Sequence, residues 1–441
     1  MGSCPLFLSV ARVPASGVSA RHFCAIGLAL AVWTGPVLAE ALAGPQDARV
    51  AELAHEAPPL TLERAMALAM ESNPGLGAAR QALAASEGAL LQSGARPNPE
   101  LAYSQEDTRR DARSSTLQWS QTIETGGKRE ARMRMAERGL ARARAELAEV
   151  QAGLRADVIS AFFGLLVAQE RVQLAGQTLD IARSAREAAA KRVAAGKVAP
   201  LEETKARVAE SGAQLELAQA RSEQRMARQR IQLLWGEVNP AFGAADGAVD
   251  ALPAVPALAD LQQRMQEAPA VLQARESLEQ SRAAADLERA RRLPDPTLSL
   301  GVKRARDNGQ GQNQLVFGIS VPLPILDSNR GNQIQALRLA DKAEQDLQTA
   351  RMQLQTRLFE AREQLQTSRE QAVQLKSEVL PSAEMAYGLA TKGFALGKFS
   401  YLEVLDAQRT LSAARGQYLD QLQATHRAAA DIHRLLGSLA D

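Results

Sequence analysis

Histidines, cysteines and a few carboxylates at repeated positions are the residues of this chain whose types could do chemistry. His426 and His433 are seven apart, so one helix face carries both; a metal site there competes with the commoner reading of solvated or packed imidazoles. His22 and His55 lie near the N-terminus, as do both cysteines, Cys4 and Cys24, so no thiolate metal site or disulfide is expected further along. Glu202 and Glu403 occupy matching places 201 residues apart, and Asp406 stands one helical turn beyond Glu403 at i+3. By position alone these are solvated charges at helix ends. No nucleophile elbow, phosphate loop or metal-ligand cluster accompanies them, so no catalytic residue, no metal site, no cofactor and no enzymatic activity is expected.

The elements that must hold these residues are long. Aromatics make up only 4% of the 441 residues, while Ala, Leu, Gln, Glu and Arg dominate extended tracts, the profile of long helices and coiled coils. Lys plus Arg (52) nearly balances Asp plus Glu (50), and a net charge of +2 gives no reason to expect nucleic acid as a partner. At the N-terminus, Arg12 and Arg21 precede an apolar run from Phe23 to Val32, a Gly35-Pro36 break and small residues up to Ala39 and Ala43. This reads as a secretory signal over residues 1–39, with cleavage at 43 as the second choice. The run falls short of the roughly 20 residues that span a bilayer, and Cys24 precedes it where a lipoprotein cysteine would follow, so neither a membrane anchor nor a lipid anchor is expected. No later segment reads as a membrane helix, so any entry into a membrane must be as a closed barrel.

The chain repeats itself. Asn73-Pro74 with Ala79-Arg80 recurs as Ala268-Pro269 with Ala274-Arg275; Arg96-Pro97-Asn98-Pro99 recurs as Leu293-Pro294-Asp295-Pro296; Gly196-Lys197 with Leu201-Glu202 recurs as Gly397-Lys398 with Leu402-Glu403. The expected division is an N-terminal extension over 40–59, a first repeat over 60–236, a linking equatorial segment over 237–257 and a second repeat over 258–437. Each repeat runs helix, Pro-x-Pro corner, two short segments, very long helix, Gly-Lys turn, return helix.

From about 129 to 195 there is no proline, and Leu147, Val150, Leu154, Val158, Phe162 and Leu165 recur at three- and four-residue spacing, so a helix of roughly 100 Å is expected. Its counterpart is expected over 331–396, with Pro381 as an interruption, and the return helices over 201–235 and 401–436. Small residues such as Ala143, Ala145, Ala148 and Ala152 allow close helix approach.

The short segments carry the opposite period. Strands are expected at about 99–107, 115–123, 296–304 and 314–322, with one apolar face made of Leu101, Tyr103, Leu117, Trp119, Ile123, Leu298, Leu300, Val302, Leu315, Phe317, Ile319 and Val321. An apolar face towards lipid and a small or polar face towards water is what a transmembrane barrel strand requires. The rival reading, hairpins on a soluble core, lacks a core to sit on. Four strands cannot close a barrel, so several chains must contribute. The loops joining the strands, Thr108 to Ser114 and Lys303 to Asn313, carry Arg109, Arg110, Arg113, Lys303, Arg304 and Arg306; outside the barrel they could meet anionic lipopolysaccharide or be ordinary solvated loops.

The tract Gly393-Phe394-Ala395-Leu396-Gly397-Lys398-Phe399-Ser400-Tyr401-Leu402-Glu403-Val404-Leu405-Asp406-Ala407-Gln408 resembles a helical-hairpin tip of TolC-type outer-membrane efflux factors, and Arg192 to Arg207 resembles the other tip. The resemblance covers essentially the whole chain after the leader. It implies an α+β, mainly helical fold: a homotrimer with a 12-stranded transmembrane β-barrel continuous with a 12-helix periplasmic α-barrel. It implies an outer-membrane location in a Gram-negative bacterium, contact with outer-membrane lipid, and work with a periplasmic adaptor and an inner-membrane proton-driven pump of the resistance-nodulation-division type. Adaptor docking would fall on the tips, at Gly196, Lys197, Pro200, Leu201, Gly397, Lys398 and Leu402. Glu202, Glu403 and Asp406 would ring the periplasmic aperture and attract cations. Where the family commonly has a second acid, this chain has Lys205, which changes the charge of that mouth.

The first tip and the stretch Gln169-Glu170-Arg171 look most like the cobalt-zinc-cadmium branch of that family, which implies export of divalent heavy metals such as cobalt, zinc, cadmium or nickel. Export of drugs or solvents by the same architecture is the alternative. A periplasmic adaptor, the rival of another class, would need one hairpin flanked by compact β-domains.

Overall fold

A computed structural model describes residues 58–107, 112–237, 242–307 and 310–437. The expected signal segment, most of the N-terminal extension, Arg109 and Arg110 therefore lie outside the described residues, as do His22 and His55. The elements run α1 (Leu62–Ser72), α2 (Pro74–Ser93), β1 (Glu100–Glu106), β2 (Ser114–Thr122), α3 (Lys128–Ala194), α4 (Pro200–Leu233), α5 (Leu258–Arg264), α6 (Pro269–Ala290), β3 (Thr297–Asp307), β4 (Gln310–Ser320), α7 (Arg330–Gln374), α8 (Leu380–Ala395) and α9 (Tyr401–Leu436). Mass in helices far exceeds mass in strands because the sequence alternates only in four short stretches.

At 67 residues α3 is the spine, about 100 Å long. Its upper part packs against α2 and α6, its lower part against α4 and α9. Along the lower α3–α4 contact buried alanines recur every seven residues, Ala168, Ala175, Ala182 and Ala189 on α3 and Ala206, Ala213 and Ala220 on α4, with Leu179 buried among them. A seven-residue small-residue seam keeps facing its partner only with slight supercoiling, and it lets the two backbones approach closely.

One expectation needs correcting: α3 does contain a stretch apolar enough, by length and composition, to cross a membrane. Those side chains are spent on packing. Val158, Phe162, Leu165 and Leu166 form a buried cluster with Leu60, Leu76, Ile231, Trp235 and Phe242. The second repeat builds its counterpart from Leu261, Val271, Leu354, Leu358, Leu365 and Ile432.

The long helix of the second repeat is not continuous. A π-turn at Leu375–Val379 separates α7 from α8, just ahead of Pro381. Proline lacks the N–H that would close a regular turn and its ring presses on the preceding carbonyls, and the wider turn relieves both.

The strands form a single antiparallel sheet in the order β1-β2-β3-β4. Its register places Leu101, Trp119, Leu300 and Phe317 in one row across all four strands, and Tyr103, Leu117, Val302 and Leu315 in the next. All eight are exposed. The intervening rows, Ala102, Gln118, Gly301, Val316 and Ser104, Thr116, Lys303, Gln314, are small or polar apart from Val316. Of the twelve residues expected on the apolar face, Leu298 alone is half-buried.

Sheet joins helices through a polar seam between the repeats. The Ile123 amide donates to the Pro296 carbonyl at 2.9 Å, the Thr125 amide to Asp295 Oδ1 at 2.8 Å, and the Lys128 ammonium meets the Asp295 carboxylate at 2.7 Å. Burial alone would raise the Asp295 carboxyl, but Lys128 and Thr125 outweigh it and hold the group below the ordinary carboxylate range.

His426 on α9 is buried and stacks on Phe163 of α3 with ring centroids 3.5 Å apart, and its Nε2 bonds the Val249 carbonyl at 2.8 Å. Packing, not metal binding, explains it, and no group of three His, Cys, Asp or Glu able to hold a metal occurs among the described residues. Burial lowers the His426 pKa, only partly opposed by the Val249 bond. The folded state therefore binds fewer protons than the unfolded state below an ordinary histidine pKa of about 6.5, and stability present above that pH is lost as pH falls. Thermal melts should show the wild type losing more stability than His426→Gln between pH 7 and pH 5; equal losses would assign the acid sensitivity elsewhere.

Candidate functional site

Two places on the described chain combine exposure with built geometry: the paired hairpin tips and the open edges of the sheet. At the tips, Gly196 (φ 66°) and Gly397 (φ 72°) adopt the left-handed conformation that glycine tolerates without a Cβ clash. Lys197 N donates to the Arg192 carbonyl at 2.9 Å, and Lys398 N to the Gly393 carbonyl at 2.8 Å, so both long helices end in the same closed turn. Pro200 starts α4 where its missing N–H costs nothing. In the second tip, Ser400 and Glu403 form a capping box, with the Ser400 amide 2.6 Å from Glu403 Oε2.

Between the tips lies a cavity of about 500 Å³ lined by Arg192, Lys197, Glu202, Phe394, Phe399 and Tyr401. The Arg192 guanidinium stacks over the Phe394 ring at 3.9 Å and donates to the Phe394 carbonyl at 3.0 Å, tying one hairpin to the other. Tyr401 is buried with its hydroxyl unbonded; burial raises its pKa, and the Glu202 charge adds to the rise. Gly393 is required by close approach, because a Cβ there would fall 2.2 Å from the Phe399 ring.

The residues expected from sequence sit at these tips. Gly196, Lys197, Pro200, Leu201, Gly397, Lys398 and Leu402 are all exposed. The three carboxylates are not equivalent. Glu202 pairs with Lys205 at 3.4 Å, Glu403 is occupied in capping its own helix, and Asp406 is exposed on the next turn.

Sequence reasoning did not find the clamps on the segment between the repeats. The Gln169 side chain bonds Ala245 twice, accepting from its amide at 2.8 Å and donating to its carbonyl at 3.0 Å. Arg228 donates to the carbonyls of Phe242 and Gly243 and lies over the Phe242 ring. Arg171 bridges Asp420 on α9 and Glu223 on α4. Such long-range pairs leave no mark in local spacing.

The sequence matches the family described as outer membrane efflux protein over residues 65–237 and 261–438. It is 46% identical over 418 residues, 95% of this chain and 99% of the relative, to the cobalt-zinc-cadmium resistance protein CzcC of Cupriavidus metallidurans. It is 27% identical over 304 residues, 68% of each chain, to the nickel-cobalt-cadmium resistance protein NccC of Alcaligenes xylosoxydans xylosoxydans. Among solved structures the fold resembles CusC (TM-score 0.74, 20% identity, 86% of this chain and 92% of that one) and the outer membrane protein VceC from Vibrio cholerae (TM-score 0.70, 18% identity, 86% and 96%).

The tip geometry gives a direct test. Gly393→Leu overpacks the Phe399 contact, a change that typically costs about 1–3 kcal/mol. Hydrogen exchange of the amides around Phe394 to Tyr401 should speed up on the order of ten-fold or more, with amides near Leu365 unchanged. Unchanged exchange at the tip would mean that Phe399 does not pack there.

Proposed function

Because the chain belongs to the outer membrane efflux protein family, we propose that it is the outer-membrane duct of a tripartite efflux system and that its cargo is divalent heavy-metal cations. The observation that carries the duct reading is the pair of apolar rows running unbroken across four strands whose outer edges, β1 and β4, are both free. In hydrocarbon each unpaired backbone N–H or C=O costs several kcal/mol, so those edges must be paired by further copies until the sheet closes.

Three copies give twelve strands, and the four helices α3, α4, α7 and α9 of each copy give the helical tunnel beneath. The helical flanks support the same closure. On one flank α4 exposes Leu201, Val208 and Leu215; on the other α7 exposes Met352, Phe359 and Val373. The face of a helix that leaves large apolar residues uncovered at intervals of seven residues, or of fourteen as from Phe359 to Val373, is a packing face.

Leu201, Leu402 and the glycine turns of the two tips form the surface for a periplasmic adaptor, which links the duct to an inner-membrane pump driven by the proton gradient. Asp406, with Glu202 and Glu403 behind it, supplies negative charge at the periplasmic mouth, where it favours cations over anions. The capping role of Glu403 and the pairing of Glu202 with Lys205 make Asp406 the strongest of the three.

The cargo reading rests on the 46% identity to a cobalt-zinc-cadmium resistance protein over nearly the full length. A tunnel need not bind what it passes, and among the described residues no group of three His, Cys, Asp or Glu is placed to hold a metal ion.

In detergent extracts of outer membranes, light scattering should give a protein mass of three chains; a monomer would end the closure reading. A strain lacking the chain should lose tolerance to cobalt, zinc and cadmium, and wild type should restore it. Gly397→Pro should not restore it, although it reaches the outer membrane. Unchanged metal tolerance with the protein in place would overturn the cargo and leave drugs or solvents as the class to test.

A further inference from the structure

The two repeats meet at a seam where the segment leaving β2 (Ile123 to Gly127) rests on the segment leading into β3 (Leu293 to Pro296). Its counterparts in the duplication are the segment leaving β4 (Val321 to Asn329) and the segment leading into β1 (Arg96 to Pro99). They lie at opposite edges of the sheet and do not meet within one copy. Helix starts fix the equivalence: Gly127 and Asn329 both take the left-handed conformation immediately before a long helix, at φ 70° and 56°. Lys128 then corresponds to Arg330, Gly126 to Ser328, Leu293 to Arg96 and Asp295 to Asn98.

Resting on the trimer proposed above, we propose that Val321 to Asn329 of one copy seats on Arg96 to Pro99 of the next, reproducing between chains the seam seen within the chain.

Two differences between the halves suit an intermolecular contact. The segment leaving β4 has nine residues where that leaving β2 has five. The added length carries Leu323, Ile325 and Leu326, which are 72%, 80% and 101% exposed, an apolar group with nothing to cover it in one copy. Pro322 and Pro324 stiffen it, so little freedom is lost on docking. Its end is already anchored, with Asn329 Nδ2 donating to the Glu288 carbonyl at 2.9 Å and Asp327 Oδ1 accepting from the Asn329 amide at 2.9 Å.

On the receiving side, Leu91, 83% exposed on the last turn of α2, offers apolar surface. Arg96 replaces the leucine that lines the internal seam, and it is exposed. Charge is complementary across the proposed contact: the internal pair of Lys128 and Asp295 loses its second member to the neutral Asn98, while the exposed Asp327 and Arg96 put opposite charges on the two segments brought together.

The internal seam also supplies the crosslink. Gly126 and Leu293 are in direct contact across the internal seam, so their counterparts, Ser328 and Arg96 of adjacent copies, are the positions whose cysteines the proposed seam brings together. In full-length protein oxidised in outer membranes, Arg96→Cys with Ser328→Cys should yield covalent dimers and trimers on non-reducing denaturing gels, while either single variant yields none. In a second measurement, Arg96→Asp should lower the temperature at which the trimer dissociates, and Asp327→Arg in the same chain should restore it. A wild type that scatters as a trimer, with no crosslink and no charge rescue, overturns the seam and leaves the loop facing lipid. A wild type that is not a trimer overturns the closure reading itself.

Discussion

Hydrogen bonding of the peptide backbone in a medium without water is the constraint from which the rest of this molecule follows. A sheet of four strands satisfies its inner edges and strands its outer ones, and no side chain on β1 or β4 can repair that. Everything below the sheet is consistent with a chain made to be completed by copies of itself: uncovered apolar stripes on both helical flanks, small alanine contacts in place of bulky layers, and a core divided into modest clusters strung along the helices.

The chain is an outer-membrane efflux protein, and its geometry divides that task. In the duct proposed above the sheet meets lipid through its rows of Leu, Trp, Phe, Tyr and Val, the seam at Asp295 joins sheet to helix, and the α3 spine runs from that seam to the tips. At the tips the two hairpins are tied by Arg192, which stacks on the Phe394 ring and donates to the Phe394 carbonyl, while the Phe399 ring packed on Gly393 closes the second tip on itself.

Much of this was legible in the residues because two periods never overlap. Alternation at Leu101 to Ser104 and Leu315 to Val321 can serve only a strand with two unlike faces, and the proline-free tract after Arg129 can serve only a helix. The duplication doubled the signal. What was not legible depends on contacts far apart in sequence: Gln169 with Ala245, Arg228 with Phe242, and His426 with Phe163. The apolar centre of α3 misled for the opposite reason, since composition cannot distinguish lipid from a neighbouring helix as its cover. The 201-residue spacing marks Glu202 and Glu403 as matching positions near the ends of the two hairpins, yet only the geometry revealed that Glu403 is taken up in a cap.

The alanine seam has a consequence for how such a chain can change over time. Because Ala168, Ala175, Ala182 and Ala189 face a partner stripe of the same kind, one heptad of the hairpin is nearly interchangeable with the next. Register along the legs is set by local ties such as Arg186 with Glu210 and by the closed turn at the end, not by distinct layers. Removing or adding seven residues in each leg would keep alanine facing alanine along the seam and shift the tip by about 10 Å. The hairpin is thus a ruler graduated in heptads, whose reach could be lengthened or shortened to suit the span of a different envelope.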